Sequence, residues 1–365
     1  MIGFKKLATH TALAVAVCLS VGTCTLPVQP VEAASSSAIG ALLNVGAQYA
    51  YLNKQLNYLD NDGRNEYMGQ IKEKYGVNTD ARANEMVARV MKNLSASVAK
   101  TDPSITKKPY NYFVNNDTSF NAFCTVGHNM SVNIGLFEPL NYNENEVAFV
   151  LAHEMGHGQK NHSMEGIRKS MPLDLLAAYY SAGSGAAQIG TAILDKIGTA
   201  KLVTKPMEKE ADALAFTYAS GAGYNIGGGA ALWQRMLDKS NSVKTSNVME
   251  LFNDHPTNVS RRDTYSSDIT KYSGNVVKVN TDTGMISLHD KNWYQPEDMS
   301  SMSGKERAYL IAGNLSAVYH NNKNPKSSDV YRSGDNLLYI GQQPIMDLSP
   351  AKNPSEVTNT LKKLL

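Results

Sequence analysis

The sequence predicts an α+β fold, mainly α, with a small β-sheet beside a histidine-bearing helix and a small α/β module at the C-terminal end. Three observations carry this. Apolar residues recur at helical spacing through much of the first 270 residues. A strand-like run over 129–137 precedes an apolar, helix-permissive stretch that holds two histidines four residues apart. Beyond Ser273 that rhythm gives way to short β segments around loop glycines.

Residues 1–33 combine Lys5 and Lys6, an uncharged middle and Val31-Glu32-Ala33 before Ala34, the pattern of a secretory signal peptide. Export is expected, to a periplasmic or extracellular compartment. A lipid anchor at Cys24 is the poorer alternative, because Thr23 stands where a small residue belongs, and an uncleaved membrane anchor is the other. Cleavage removes Cys18 and Cys24, so Cys124 has no internal disulfide partner and reads as a small buried hydrophobe. A net charge of +2 with scattered lysines excludes a nucleic-acid surface and leaves room for peripheral membrane association.

Helices are expected over 35–59, 67–75 and 81–98, with Asp60-Asn61-Asp62-Gly63 as a solvated turn. Asp102-Pro103 breaks the chain, and a β segment begins near Tyr110. His128, ahead of the next strand, reads as a surface residue.

Leu151-Ala152-His153-Glu154-Met155-Gly156-His157 is an H-E-x-x-H sequence. Residues four apart on a helix share a face, so His153 and His157 present two imidazoles to one ion. Glu154, about 100° further round the helix, reaches a water on the metal and serves as general base. The chemistry implied is hydrolysis of a peptide bond, with Glu154 then returning the proton to the leaving amine. A third ligand is needed. The metzincin pattern would require a glycine and a histidine where Lys160 and Ser163 stand; His162 is one residue out of register and reads as capping or packing the helix end. The alternative is a glutamate from a later helix. In Lys205-Pro206-Met207-Glu208-Lys209-Glu210-Ala211-Asp212, Glu208 and Asp212 share a face while Glu210 points away. Glu208 is therefore the expected third zinc ligand, one ion per chain, with Asp212 orienting a ligand histidine from behind.

H-E-x-x-H followed by E-x-E-A-D resembles the zinc metallopeptidases that include the CAAX prenyl protease, HtpX and BepA. Phe120-Asn121-Ala122-Phe123, Met130 to Phe137, Asn145 to Ala152 and Asp254-His255-Pro256 with Arg261 extend the likeness over about residues 69–268. The resemblance implies a zincin-like core over 34–272, closest in type to exported BepA-like members. It also implies that Asn129, Met130, Ser131, Val132 and Asn133 form the strand to which an extended substrate adds. It places His255 near the zinc as gate or catalytic helper, and Arg261 as support for that loop or partner of a site carboxylate.

Residues 175–194 carry no charge but are rich in small and polar residues, which favours a soluble helical segment over the site rather than a membrane span. Helices follow over 211–219 and 230–238. In 273–365 a hairpin over 275–288, a helix over 307–319 and short strands over 336–345 form an accessory module, with His289, Trp293 and His320 structural. The function expected is a zinc-dependent endopeptidase acting on protein or peptide substrates of the cell envelope in quality control. The alternative is a zinc-dependent chaperone or assembly factor that seldom cleaves.

Overall fold

The computed structural model describes residues 36–170, 185–196, 202–242 and 258–365. The expected export signal over 1–33 and His255 lie outside them. The chain divides into two compact units, 1–48 and 49–365. Helix α1 spans Ser36–Asp60.

Within 49–365 the first part is helical. Helices α2 (Arg64–Tyr75) and α3 (Ala81–Thr101) follow, α3 capped by the Asp80 side chain, which accepts from Ala83 N–H. Its residues Met86, Val87, Val90, Met91, Leu94 and Val98 are buried at three- and four-residue spacing. A single turn, α4 (Ser104–Lys107), leads to strands β1 (Asn111–Asn115), β2 (Ala122–Thr125) and β3 (Asn129–Asn133). The sheet order is β1-β3-β2, with β1 parallel and β2 antiparallel to β3.

Two sequence expectations are corrected here. The strand expected over 129–137 ends at Asn133, where the backbone turns into a 3₁₀ segment over Ile134–Leu136. More consequentially, β3 is the middle strand, and both its edges are already bonded to neighbours. Asn129, Met130, Ser131, Val132 and Asn133 therefore have no edge to offer a substrate. β3 is buried along its whole length, its polar residues tied across the sheet by Asn111 to Asn129 (3.0 Å) and by Asn115 to Ser131 (2.8 Å) and Asn133 (2.7 Å). β1 and β2 are the edge strands, and β2 is the one beside the histidine helix.

Helix α5 (Glu144–Gln159), capped by Asn143, carries the H-E-x-x-H sequence. After it come α6 (His162–Ser170), α7 (Ala186–Lys196), α8 (Lys205–Gly221), α9 (Gly228–Ser242) and α10 (Asn258–Tyr272). α5 and α8 cross closely at Gly156, where a Cβ would lie 3.1 Å from the Cα of Ala211. This approach brings the histidine face of α5 against Glu208 and Asp212. Of the uncharged segment over 175–194, only 185–194 is described. There Ile189, Ile193 and Leu194 of α7 join a cluster with Leu56, Tyr67 and Ile71, so this part supplies core rather than a cover for the site. Among the described residues no helix is long and apolar enough to cross a membrane.

The C-terminal region holds two three-stranded antiparallel sheets. One is β4 (Val277–Val279), β5 (Ile286–Leu288) and β6 (Lys291–Tyr294). Helix α11 (Gly304–Asn321) separates it from β7 (Val330–Arg332), β8 (Leu337–Ile340) and β9 (Gln343–Asp347), and α12 (Pro354–Leu364) ends the chain. These residues share one apolar core with the histidine helix: Val147 and Leu151 of α5 belong to the same cluster as Tyr309, Leu315, Leu338 and Leu361. A buried triad of one arginine and two glutamates crosses the same seam. Arg235 of α9 forks onto Glu146 of α5 at 2.9 and 3.1 Å and also reaches Glu306 of α11. Burial, then the charge of Glu146, pushes Glu306 up to about 9. Trp293 donates its indole N–H to Val357 O, and His320 stacks on Tyr272, structural roles as expected.

Candidate metal centre

His153 and His157 on α5 and Glu208 on α8 converge in the interior, at 6, 5 and 1% exposure. The two Nε2 atoms are 3.0 Å apart, and Glu208 Oε2 and Oε1 lie 3.3 Å from His153 Nε2 and 3.5 Å from His157 Nε2. Tetrahedral zinc bound at about 2.0–2.1 Å would separate its ligand atoms by about 3.3–3.4 Å. Two nitrogens and a carboxylate whose oxygens each lie near one of them at such a separation can converge on one ion. The three are positioned to bind a metal, and they form the one such cluster among the described residues.

Behind His153 stands an ionic assembly. Its Nδ1 lies 2.9 Å from Asp212 Oδ1 and 3.0 Å from Arg261 Nη2. One ring nitrogen cannot donate and accept at once. With Nε2 turned to the cluster, Nδ1–H donates to Asp212, and Arg261 belongs to Asp212, which it also grips through Nε at 2.8 Å. Tyr265 O–H donates to the same carboxylate at 3.0 Å, and Arg261 stacks 3.9 Å from the Trp233 ring. Burial alone would raise the Asp212 pKa, but the Arg261 charge and the His153 contact outweigh it and hold the carboxyl well below its usual range. Burial and Arg261 press His153 down, yet Asp212 and Glu208 prevail and lift the metal-free imidazole to about 9. A metal at this site therefore competes with a proton.

Glu154 faces the other way, toward the sheet. Its Oε2 accepts from the main-chain N–H of Cys124 on β2 at 2.9 Å, and the Cys124 carbonyl accepts from Ser163 Oγ at 2.8 Å. Both main-chain groups of Cys124 thus point off the free edge of β2. By the two-residue period of a strand, those of Ala122 face the same edge. Beside this edge opens a cavity of about 570 Å³, counted to its open mouth, whose apolar wall includes Phe120, Leu136, Phe149 and Trp233 and whose polar wall includes His153 and Glu154. The arrangement offers a base, a main-chain edge and an apolar recess within one cleft.

His128 departs from its sequence reading, whereas His162 packs at a helix end as expected. His128 is buried rather than on the surface, its Nδ1–H donating to Lys108 O (2.8 Å) and its ring stacked on Tyr110. His162 is also buried, with its Nδ1 2.9 Å from His157 Nδ1. The only sequence signal for this contact was a third histidine five residues after His157, which a helical reading places on another face. Cys124 is a buried free thiol, as read from the sequence, and burial pushes it well above its ordinary pKa.

A histidine-bearing helix crossed by a glutamate-bearing helix, beside a short sheet whose edge strand holds the base, defines a zincin-like metallopeptidase core. The chain belongs to peptidase family M48, whose profile matches residues 81–267. It is 29% identical over 166 residues to the beta-barrel assembly-enhancing protease of Escherichia coli, covering 42% of this chain and 33% of that one. The metalloprotease LoiP of the same organism is 27% identical over 199 residues, 52% of this chain and 75% of LoiP. Mitochondrial metalloendopeptidase OMA1 of Saccharomyces cerevisiae is 26% identical over 187 residues, 50% of this chain and 53% of that one. The chain spans only about a third of the length of the beta-barrel assembly-enhancing proteases it matches.

Proposed function

We propose that this protein is a zinc-dependent endopeptidase in which His153, His157 and Glu208 hold one zinc ion and Glu154 is the general base. The observation that carries the reading is the set of donor separations, 3.0, 3.3 and 3.5 Å, beside a glutamate aimed at a substrate edge. Zinc, when bound there, supplies a Lewis acid that polarises the scissile carbonyl and acidifies water. The chain's own groups do the rest. Asp212 fixes His153 through Nδ1, and Arg261 keeps Asp212 ionised. An extended substrate pairs with the outer edge of β2 at Ala122, where main-chain groups bind main chain. An apolar side chain of the substrate enters the recess beside Phe149 and Trp233. Glu154, steadied by the Cys124 N–H, takes a proton from the attacking water at its carboxylate and hands it to the leaving nitrogen.

The substrates proposed are proteins of the cell envelope. Two features support this: the export signal read over 1–33, and relatives whose name concerns beta-barrel assembly. His255 keeps its proposed part as a gate or helper near the zinc, three residues before α10 begins. A chaperone without cleavage has no need of a base held in place, and the bond from Cys124 to Glu154 weighs for catalysis.

The test is zinc content and casein cleavage by protein from Ala34 onward, compared with Glu154→Gln and Glu208→Ala. One zinc per wild-type chain is expected, with cleavage lost in both variants and zinc lost only in Glu208→Ala. Cleavage by Glu154→Gln at the wild-type rate would sink the assignment of the base.

A further inference from the structure

The cluster leaves one question open: what fixes the second histidine. His153 is steered by Asp212, and the Nδ1 of His157 lies 2.9 Å from the Nδ1 of His162. The other nitrogen of His162 is 3.3 Å from Glu210 Oε2, and Glu210 pairs with Lys160 at 2.7 Å. His162 is 2% exposed, so this contact is enclosed. The backbone arranges it deliberately. α5 ends at Gln159, Asn161 takes a left-handed φ of 53°, and α6 starts at His162 with its ring folded back on His157.

Hydrogen placement follows in one direction only. For the Nε2 of His157 to offer a lone pair to an ion, its hydrogen must sit on Nδ1. The Nδ1 of His162 must then accept that hydrogen, so His162 carries its own on Nε2 and donates to Glu210. We infer that His162 and Glu210 are a positioning pair for His157, fixing its ring and tautomer as Asp212 fixes those of His153. The inference rests on His153, His157 and Glu208 being the zinc ligands.

The spacing of α8 acquires a reason from this. Glu208 faces the cluster, and Asp212, one turn on, reaches His153 directly. Glu210 lies on the far side of the helix at 46% side-chain exposure and can reach His157 only through an intermediary, which α6 supplies. Three acidic residues at alternate positions thus serve the ion, one histidine and the other histidine.

The experiment uses the zinc-loaded chain from Ala34 onward with His162→Leu, His162→Asn and Glu210→Gln. Three quantities are read: zinc release into excess chromogenic chelator, the visible spectrum of the cobalt-substituted protein, and melting of the metal-free form. His162→Leu is expected to release zinc about 10–100 times faster and to shift the cobalt bands, with metal-free melting unchanged. His162→Asn keeps an acceptor near the Nδ1 position and should return release to within about threefold of wild type, while Glu210→Gln should speed it by about threefold. Should His162→Leu fail to fold, Glu210→Gln, altered at a half-exposed site, decides by its release rate. Leu and wild-type release within about twofold of each other, or Asn behaving as Leu, would overturn the pair while leaving the zinc site standing. Wild-type protein that takes up no zinc overturns the ligand reading and this inference with it.

Discussion

Replacing Asp212 by asparagine keeps the shape of the side chain and removes its charge. Asp212 and Arg261 are each 4% exposed, so the guanidinium left behind is enclosed, with the Trp233 face and a neutral amide as its company. Removing one partner of a buried pair typically costs about 3–5 kcal/mol, and an isosteric amide that preserves the hydrogen bonds belongs at the low end. For a unit of this size that corresponds to roughly 4–5 °C in melting temperature. The variant also weakens the acceptor that orients His153, for which a loss of ~10–100-fold in zinc affinity is expected. The assay separates the two effects. Melting is measured on metal-free protein, and zinc affinity by competition with a chelator of known strength. Asp212→Leu combined with Arg261→Met removes both charges, so metal-free stability should largely return while zinc affinity does not. Metal-free Asp212→Asn melting within about 2 °C of wild type would refute the enclosed-charge argument. Zinc affinity restored in the double variant would refute the orienting role of Asp212.

Three further outcomes are expected. Ala122→Pro deletes a main-chain donor from the outer edge of β2 without touching the β3 ladder. KM for an extended peptide should rise by about tenfold with kcat little changed, the worth of one hydrogen bond, and an unchanged KM would argue against pairing at this edge. Gly156→Val forces apart helices that leave a Cβ only 3.1 Å from Ala211 Cα, so both zinc affinity and stability should fall, the latter by about 1–3 kcal/mol; zinc titration and thermal melts would register it. Glu306 carries a folded-state pKa lifted to about 9, above its unfolded value of about 4.3, so its contribution to stability is full at low pH and is lost as pH rises toward 9. Glu306→Gln should therefore flatten the denaturation midpoint between pH 5 and 9 and gain on wild type at the alkaline end; parallel curves would count against a shared proton in the triad.

Local chemistry made much of the site legible. H-E-x-x-H names two candidate ligands and a candidate base because four residues close a helical turn, and the same rule pairs Glu208 with Asp212. What escaped was set by tertiary order. A four-residue strand such as Ala122–Thr125 leaves almost no period to read, and whether a strand lies at an edge or in the middle is decided by its neighbours. β3 is expected from the family resemblance to receive a peptide, yet Asn129, Ser131 and Asn133 are buried and bonded inside the sheet. The contact of His162 with His157 escaped because Asn161 breaks the helix, so helical spacing from His157 does not apply. Arg235 and Glu306 stand in no motif of the sequence, and only the packing of α9 between α5 and α11 encloses them.

That packing bears on what the C-terminal region is for. Glu146 and His153 are seven residues apart on α5, two turns along nearly one face, so the helix that carries the candidate ligands is anchored at both stretches by arginine. Arg261 acts behind His153 through Asp212, and Arg235 ties Glu146 to α11. Rigid placement of α5 matters because displacing ligand atoms by a fraction of an ångström departs from tetrahedral separations. Residues 273–365 then contribute to the site without touching it: they bury α9 and supply Glu306, the partner that closes the triad. Removing them would strip one side of the shared core and leave Arg235 and Glu146 facing water. Loss of zinc affinity on truncation at Tyr272 is therefore expected even though no truncated residue is a candidate ligand. A truncated chain that folds and keeps wild-type affinity would show the region to be an appendage.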